Sequence, residues 1–287
     1  MTRIVYVNGA YKRYAEAAVH VEDRGFQFAD AIYEVIEVRD GHLVDASRHL
    51  ARMARSLREL AIPAPMSNAA LSQVVEQVIR RNRVRNGIVY IQVTRGAGPR
   101  DFALPPSGIL PTLVVLARTQ RKGWSAELAE TGIAVKTIPD NRWARCDIKT
   151  VMLLPAVLAK DEARRNGSKE AWFVDSAGNV TEGASSNAWI VTAGGTLVTH
   201  PLDRRILPGV TRATVMDVAK AEGLKIEERN FSREEALQAH EAFVTSATNI
   251  VMPVVKIDGV PVGDGRPGPL ARRLRIRFHH VAEISAG

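Results

Sequence analysis

The chain has 287 residues, 46% hydrophobic and 24% charged, which is length enough for about two domains with their own cores and a composition ordinary for a globular protein. No apolar run approaches the ~20 residues of a membrane span. The first residues read as a strand rather than a signal peptide, and the single cysteine excludes an intrachain disulfide, so a reducing cytoplasm is the expected location.

A net charge of +8 permits nucleic-acid binding but does not establish it. The densest basic cluster, Arg272-Arg273-Leu274-Arg275-Ile276-Arg277, has no recognised binding motif beside it and reads as a solvated helix face. Neither a nucleic acid nor a membrane is expected as a partner.

In chain order, Met1 to Gly9 reads as a strand entering a turn. Ile32 to Val38 is rich in strand formers and meets Asp40-Gly41, a hairpin signal. An amphipathic helix follows from Ser47, with Leu50, Met53, Leu57 and Leu60 at helical spacing, and Pro63 and Pro65 end it. Ser67 caps a second helix carrying Leu71, Val74, Val75, Val78 and Ile79. Ile88–Thr94 and Leu113–Leu116 are two further strands. Residues 1–118 are therefore expected to form an N-terminal domain, 119–125 a linker and 126–287 a C-terminal domain.

The second half opens with a strand over Ile133–Ile138. A helix is expected after Lys149, through Leu153, Leu154, Val157 and Leu158, to Gly167. Buried-type strands follow at Ala171–Val174, Ala188–Val191 and Leu197–Thr199, then a helix over Val210–Glu222, then strands at Ala242–Ser246 and Val254–Ile257. Strands and helices mix without regular alternation, which favours two α+β domains over a doubly wound sheet.

Three features stand out chemically. Lys149 lies in Arg145-Cys146-Asp147-Ile148-Lys149-Thr150 ahead of an apolar run. Burial favours a neutral amine, which can attack a carbonyl and later shuttle a proton. Glu182, in Thr181-Glu182-Gly183, would keep a pyridine nitrogen protonated, with Ser185, Ser186 and Asn187 as nearby hydrogen-bonding groups. Gly209-Val210-Thr211 precedes a helix whose free N–H groups suit a phosphate, and Arg52 would pair with that phosphate bidentately. An amine for an aldehyde, a carboxylate for a ring nitrogen and amides for a phosphate are the needs of pyridoxal 5′-phosphate (PLP). Alone, each also reads blandly, as an exposed lysine, a turn glutamate and a Pro-Gly turn. No Gly-x-Ser-x-Gly, His-Glu-x-x-His, P-loop or dinucleotide fingerprint competes, and no metal is expected.

The chain resembles the fold-type IV PLP enzymes, most closely the D-amino acid transaminases. The likeness runs through Glu22–Val35, Gln92–Gly96, Pro99-Arg100, Arg145–Lys149, Asn166-Gly167, Thr181–Gly183 and Phe243–Ser246. It implies a two-domain α+β fold like the branched-chain aminotransferases, with a smaller N-terminal α/β domain and a larger, mixed, β-barrel-like C-terminal domain with helices. It implies that Lys149 forms the internal aldimine and acts as acid and base, and that Glu182 partners the pyridine nitrogen. Arg52, Gly209, Val210, Thr211, Ser246 and Ala247 match the phosphate site, and Leu207 matches the residue packed on the ring. Tyr33, Val35, Arg100 and Phe102 match substrate contacts, with the Arg100 loop reaching the neighbouring subunit of a homodimer.

There are departures from the family. Phe102 stands where a histidine is frequent, Ala247 where a threonine is, Ala184 where a serine is, and Ala29 and Ala31 where glycines are. The resemblance implies ping-pong transfer from a D-amino acid, of the D-alanine and D-glutamate type, to 2-oxoglutarate or pyruvate. Alternatives on the same fold are a branched-chain L-amino acid transaminase, an (R)-amine transaminase and an aminodeoxychorismate lyase.

Overall fold

A computed structural model describes residues 3–105, 108–121 and 123–285. The backbone divides into two compact units, Met1–Lys122 with Ile148–Met152 and Glu283–Gly287, and Gly123–Asp147 with Leu153–Ala282. Met1, Thr2, Pro106, Ser107, Lys122, Ala286 and Gly287 lie outside the described residues.

Unit one is built on a six-stranded antiparallel sheet of β1 (Ile4–Val7), β2 (Ala10–Arg13), β3 (Ala31–Arg39), β4 (His42–Leu43), β5 (Gly87–Thr94) and β6 (Thr112–Thr119), in the order β2-β1-β6-β5-β3-β4. Three helices accompany it, α1 (Arg24–Phe28), α2 (Ala46–Glu59) and α3 (Asn68–Asn82). The β3–β4 connection is the expected Asp40-Gly41 turn, both residues at positive φ (52° and 95°). Ser67 caps α3 as its sequence predicts, its Oγ accepting from the Ala70 N–H at 3.2 Å. The C-cap of α1 is Ala29 at φ 56°, a left-handed site that glycine occupies more cheaply, by roughly 1 kcal/mol.

Strand β3 alternates cleanly. Ile32, Glu34, Ile36 and Val38 are buried on one side, and Tyr33 and Val35 stand half-buried on the other. The α2 face that meets the sheet is less apolar than its spacing suggests, since His49, Arg52 and Ser56 are buried there with Met53 and Leu57.

Unit two holds a nine-stranded mixed sheet. Its elements in chain order are α4 (Trp124–Thr131), β7 (Ile133–Pro139), α5 (Leu154–Arg165), β8 (Glu170–Val174), β9 (Val180–Gly183), β10 (Asn187–Val191), β11 (Leu197–Thr199) and α6 (Val210–Ala221). They continue with β12 (Ile226–Glu228), α7 (Arg233–Leu237), β13 (Glu241–Ser246), β14 (Ile250–Ile257), β15 (Val260–Pro261) and α8 (Pro269–Val281). The strand order is β12-β11-β10-β13-β14-β7-β8-β9, with β15 on β14. Buried Trp172, Ile190, Val244 and Met252 belong to its main core, and Trp189 stacks on Phe243 of the neighbouring strand at 5.5 Å. The helices α6 and α8 pack together and against β13.

Two expectations need correction. Helix α5 begins at Leu154, so Lys149 precedes it by a full turn. The reason is that Thr150 bridges to Ile32 and the chain from Lys149 to Val151 is hydrogen-bonded as an extended segment, which helical geometry would forbid. On α5 itself Ala159 and Ala163 are buried, while Leu154, Val157 and Leu158 are 67%, 58% and 59% exposed. Glu182, expected between strands, lies within β9.

Candidate active site

In unit one, the Lys149 backbone is fastened to β3. Its carbonyl accepts from the Tyr33 N–H at 3.0 Å, and the Val151 N–H donates to the Ala31 carbonyl at 3.2 Å. The Lys149 N–H donates to Ser56 Oγ on α2 at 3.4 Å. This places the Lys149 amine over the Tyr33 ring, 4.2 Å from its centroid. Tyr33 in turn stacks on Tyr90 at 5.6 Å, and burial, with Tyr33 beside it, pushes the Tyr90 hydroxyl up to about 12. Val35 lies on the same face of β3 as Tyr33.

On the opposite face of β3, Glu34 is fully enclosed. Arg52 donates to it from Nε at 2.8 Å and Nη2 at 2.7 Å, a two-point pair, and His49 Nδ1 lies 2.7 Å from its Oε2. Burial alone would raise the Glu34 carboxyl, but the charge and hydrogen bonds of Arg52 and His49 overcome it and bring it down to about 2. Burial lowers the pKa of His49, against the pull of Glu34. Arg52 thus commits Nε and Nη2 to Glu34.

Arg100 is exposed, with its guanidinium 5.3 Å from the Phe28 centroid and 5.6 Å from that of Phe102. Those two rings meet at 5.6 Å, and Arg24 Nη1 donates to the Asp101 carbonyl at 2.7 Å. Phe102 thus stacks beside Arg100 rather than offering a second donor.

In unit two, Glu182 is buried and gripped from three directions. Arg142 Nη1 donates to its Oε1 at 2.5 Å, and the Leu207 N–H and Asn187 Nδ2 donate to its Oε2 at 3.0 and 3.1 Å. Arg142 turns its other edge to Asp140, with Nε to Oδ1 at 2.9 Å and Nη2 to Oδ2 at 2.8 Å. Burial would raise Asp140, but Arg142 and the Thr181 hydroxyl lower it. Burial opposes the charge of Arg142, and the two carboxylates more than restore it. The trio carries two negative charges on one positive, a setting suited to a cationic nitrogen. Nearby, burial pushes the Cys146 thiol up to about 12, which favours the neutral thiol over the thiolate.

Asn187 links several of these groups. It also donates to the Leu207 carbonyl at 2.9 Å and sits opposite Thr245 in the β10–β13 register. Gly209 lies so close that a Cβ there would fall 2.0 Å from Asn187 Oδ1. Only glycine allows that approach. Gly209 is the N-cap of α6 and supplies no side-chain cap, and the first residues of the helix, Val210 and Thr211, are buried. The N-terminus of a 12-residue helix, entered through a glycine, suits an anion.

Ser185 and Ser186 behave differently from the simplest expectation. Both hydroxyls donate to the buried carboxylate of Glu170, at 2.7 and 3.2 Å, and Lys160 pairs with the same group at 3.2 Å. Ser246 and Ala247 open the β13–β14 hairpin, where the Asn249 N–H donates to the Ser246 carbonyl at 3.2 Å. Within that hairpin Ile250 has φ 60°, a left-handed conformation costing a β-branched residue about 1–3 kcal/mol.

Sequence reasoning singled out Lys149, Glu182 and Gly209 but missed Arg142, Glu34 and Glu170. An Asp-x-Arg pair after a strand, or a glutamate inside an apolar strand, is the only signal they leave.

Known proteins place this geometry. Residues 31–257 match the family model described as Amino-transferase class IV. The D-alanine aminotransferase of Staphylococcus haemolyticus is 38% identical over 279 residues, covering 97% of this chain and 98% of that one. The D-alanine aminotransferase of Bacillus licheniformis is 37% identical, covering 94% of each. Among solved structures, the branched-chain amino acid aminotransferase of Escherichia coli superposes with a TM-score of 0.87 at 27% identity, over 98% of this chain and 94% of that one. A hypothetical aminotransferase from Mycobacterium tuberculosis, in its PLP-bound form, shares the fold with a TM-score of 0.83 at 20% identity, over 97% and 98% of the chains. The chain belongs to the class IV aminotransferases.

Proposed function

We propose that this aminotransferase moves the amino group of a D-amino acid to a 2-oxo acid with PLP as cofactor, D-alanine and 2-oxoglutarate being converted to pyruvate and D-glutamate. The D-alanine aminotransferase relatives support the substrate class. The observation that carries the cofactor reading is Glu182, a buried carboxylate fixed by Arg142, Asn187 and the Leu207 amide.

When bound, PLP supplies a protonated ring that draws electrons from the substrate Cα. Lys149 Nζ would hold the aldehyde carbon and, as acid and base, would take the proton from the substrate Cα and deliver it to that carbon, working on one face only. Glu182 would keep the proton on the pyridine nitrogen, and Leu207 would pack on the ring. Arg52, the amides of Gly209, Val210 and Thr211, the Thr211 and Ser246 hydroxyls and the Ala247 amide would hold the phosphate. Ser185, Ser186 and Asn187 border the ring; because Glu170 takes both serine hydroxyls, the serine contribution falls to the backbone of that loop. Tyr33, Val35, Arg100 and Phe102 receive the substrate.

Purified protein carrying PLP is expected to be yellow. Its visible absorbance is expected to be lost in Lys149→Ala and to be bleached by D-alanine in the wild type. A wild type that takes up no PLP defeats the reading. The likeness to branched-chain aminotransferase structures favours L-leucine as the second candidate donor. Incubation with 2-oxoglutarate and either D-alanine or L-leucine separates the two, and turnover of leucine alone would overturn D-specificity.

The same reading makes the enzyme a cytoplasmic homodimer, with the Arg100 loop serving the neighbouring subunit. No helix among the described residues is long and apolar enough to cross a membrane. The exposed Leu154, Val157 and Leu158 on α5 support self-association. Sedimentation of wild type and Val157→Lys tests it; a wild type that is monomeric at all concentrations contradicts it. Residues 1–118 and 126–287 are taken as the domains, joined by 119–125, of which Lys122 is outside the described residues.

A further inference from the structure

The basic run on α8 divides its labour. Arg273 and Arg277 are exposed and pair with Glu222 at 3.0 and 3.1 Å, and Arg272 lies 3.8 Å from Glu130. Arg275 instead turns inward. Its Nη1 donates to the carbonyls of both Asn249, at 2.5 Å, and Val251, at 2.7 Å, while Nη2 donates to Ser125 Oγ at 2.8 Å.

Asn249 and Val251 flank Ile250, the left-handed residue of the β13–β14 hairpin. In an extended strand, oxygens two residues apart repeat at about 6.8 Å, too far for one nitrogen to bridge. The two bonds to Nη1 are short enough to require the carbonyls to converge, and the kink at Ile250 is what makes them converge. The grip and the strained conformation therefore depend on each other. Ile250 also pairs with Ser246 across the turn, so the kink sets where Ser246 and Ala247 point. The Ser246 Oγ accepts from the Asn249 N–H at 3.3 Å, which leaves its proton for Thr248 Oγ1, 3.5 Å away, or for an arriving acceptor.

We propose that Arg275 is a positioning residue for the cofactor phosphate, holding the left-handed kink at Ile250 that presents the Ser246 hydroxyl and the Ala247 amide. The proposal rests on the reading of those two groups as phosphate contacts. It concerns a residue remote from the ring, so its signature is a loss that depends on the phosphate.

The test measures binding of PLP and of pyridoxal, which lacks the phosphate, by visible absorbance in wild type, Arg275→Met and the double variant Arg275→Met/Ile250→Gly. Arg275→Met is expected to bind PLP about tenfold more weakly, the scale of one charged hydrogen bond, with pyridoxal binding changed less than about twofold. Glycine adopts positive φ without strain, so the double variant is expected to recover much of the PLP affinity. PLP affinity unchanged in Arg275→Met, or an equal fall for PLP and pyridoxal, overturns the proposal. If Arg275→Met is insoluble, Arg275→Lys is measured in the same way. Its compact ammonium grips the carbonyls less well, and a loss confined to PLP supports the proposal while an equal loss for both ligands overturns it. Wild type that binds neither ligand refutes the cofactor reading itself, a result distinct from binding that is indifferent to Arg275.

Discussion

Arg142 bridges Glu182 and Asp140, one carboxylate on each edge of its guanidinium, with all three side chains largely out of water. Such an arginine has no interchangeable substitute. Arg142→Met leaves two carboxylates facing each other in a poorly hydrated setting and is expected to cost about 3–5 kcal/mol of stability. Arg142→Lys, a point charge without the fork, recovers part of it. Denaturant unfolding of the three proteins measures this, and a loss below about 1 kcal/mol for methionine would mean that the pair is solvated.

Acid should unfold the protein partly through Glu34. Its folded pKa, about 2, lies below the ordinary value of 4.5, so the stability it contributes is fully present above 4.5 and is lost as the pH falls toward 2. The difference amounts to about 3 kcal/mol. Glu34→Gln is expected to flatten the fall in unfolding free energy between those two pH values. An unchanged slope would assign acid sensitivity to other carboxylates, of which Asp258 is the nearest in character.

Gly209 is required by close approach rather than by its φ, which is −64°. In Gly209→Ala the new methyl meets Asn187 Oδ1, so either the start of α6 or the Asn187 amide must move. Retention of PLP through dialysis is expected to fall about tenfold or more, the scale of losing one charged hydrogen bond. Full retention would show that this helix start does not hold the phosphate.

Phe102 flanks the Arg100 guanidinium together with Phe28. Truncation in Phe102→Ala removes one of two aromatic faces, each worth about 0.5–1 kcal/mol at an exposed site, and should raise KM for the amino donor about twofold to fivefold at nearly constant kcat. A change in kcat alone would place Phe102 in the chemistry rather than in carboxylate binding.

Much of the fold is legible from the sequence because its strands and helices carry strong periodic patterns. Alternation in β3, the Asp40-Gly41 turn and the Ser67 cap all reflect local chemistry, and the structure repeats them. Lys149 is different. Its neighbours suit a helix, yet pairing with a strand more than a hundred residues earlier in the sequence makes the segment extended, and no local pattern encodes that pairing. Helix α5 misleads for the opposite reason: its apolar residues Leu154, Val157 and Leu158 look like core and are exposed in the single chain. At the site, motif residues were readable while the groups that hold them were not. Arg142, Glu34 and Glu170 act by meeting a partner in space, and a lone charged residue in a sequence carries no sign of whom it will meet.

The attachment of Lys149 to β3 also has a consequence for motion. The lysine sits outside any regular element, where chains ordinarily fluctuate, yet its backbone behaves as one more rung on a sheet edge through Ala31 and Tyr33. Freeing it requires opening that edge, not merely swinging a loop. Amide exchange at Tyr33 and Val151 should therefore be as slow as in the sheet itself, and the reactive amine then owes its mobility to side-chain rotation alone.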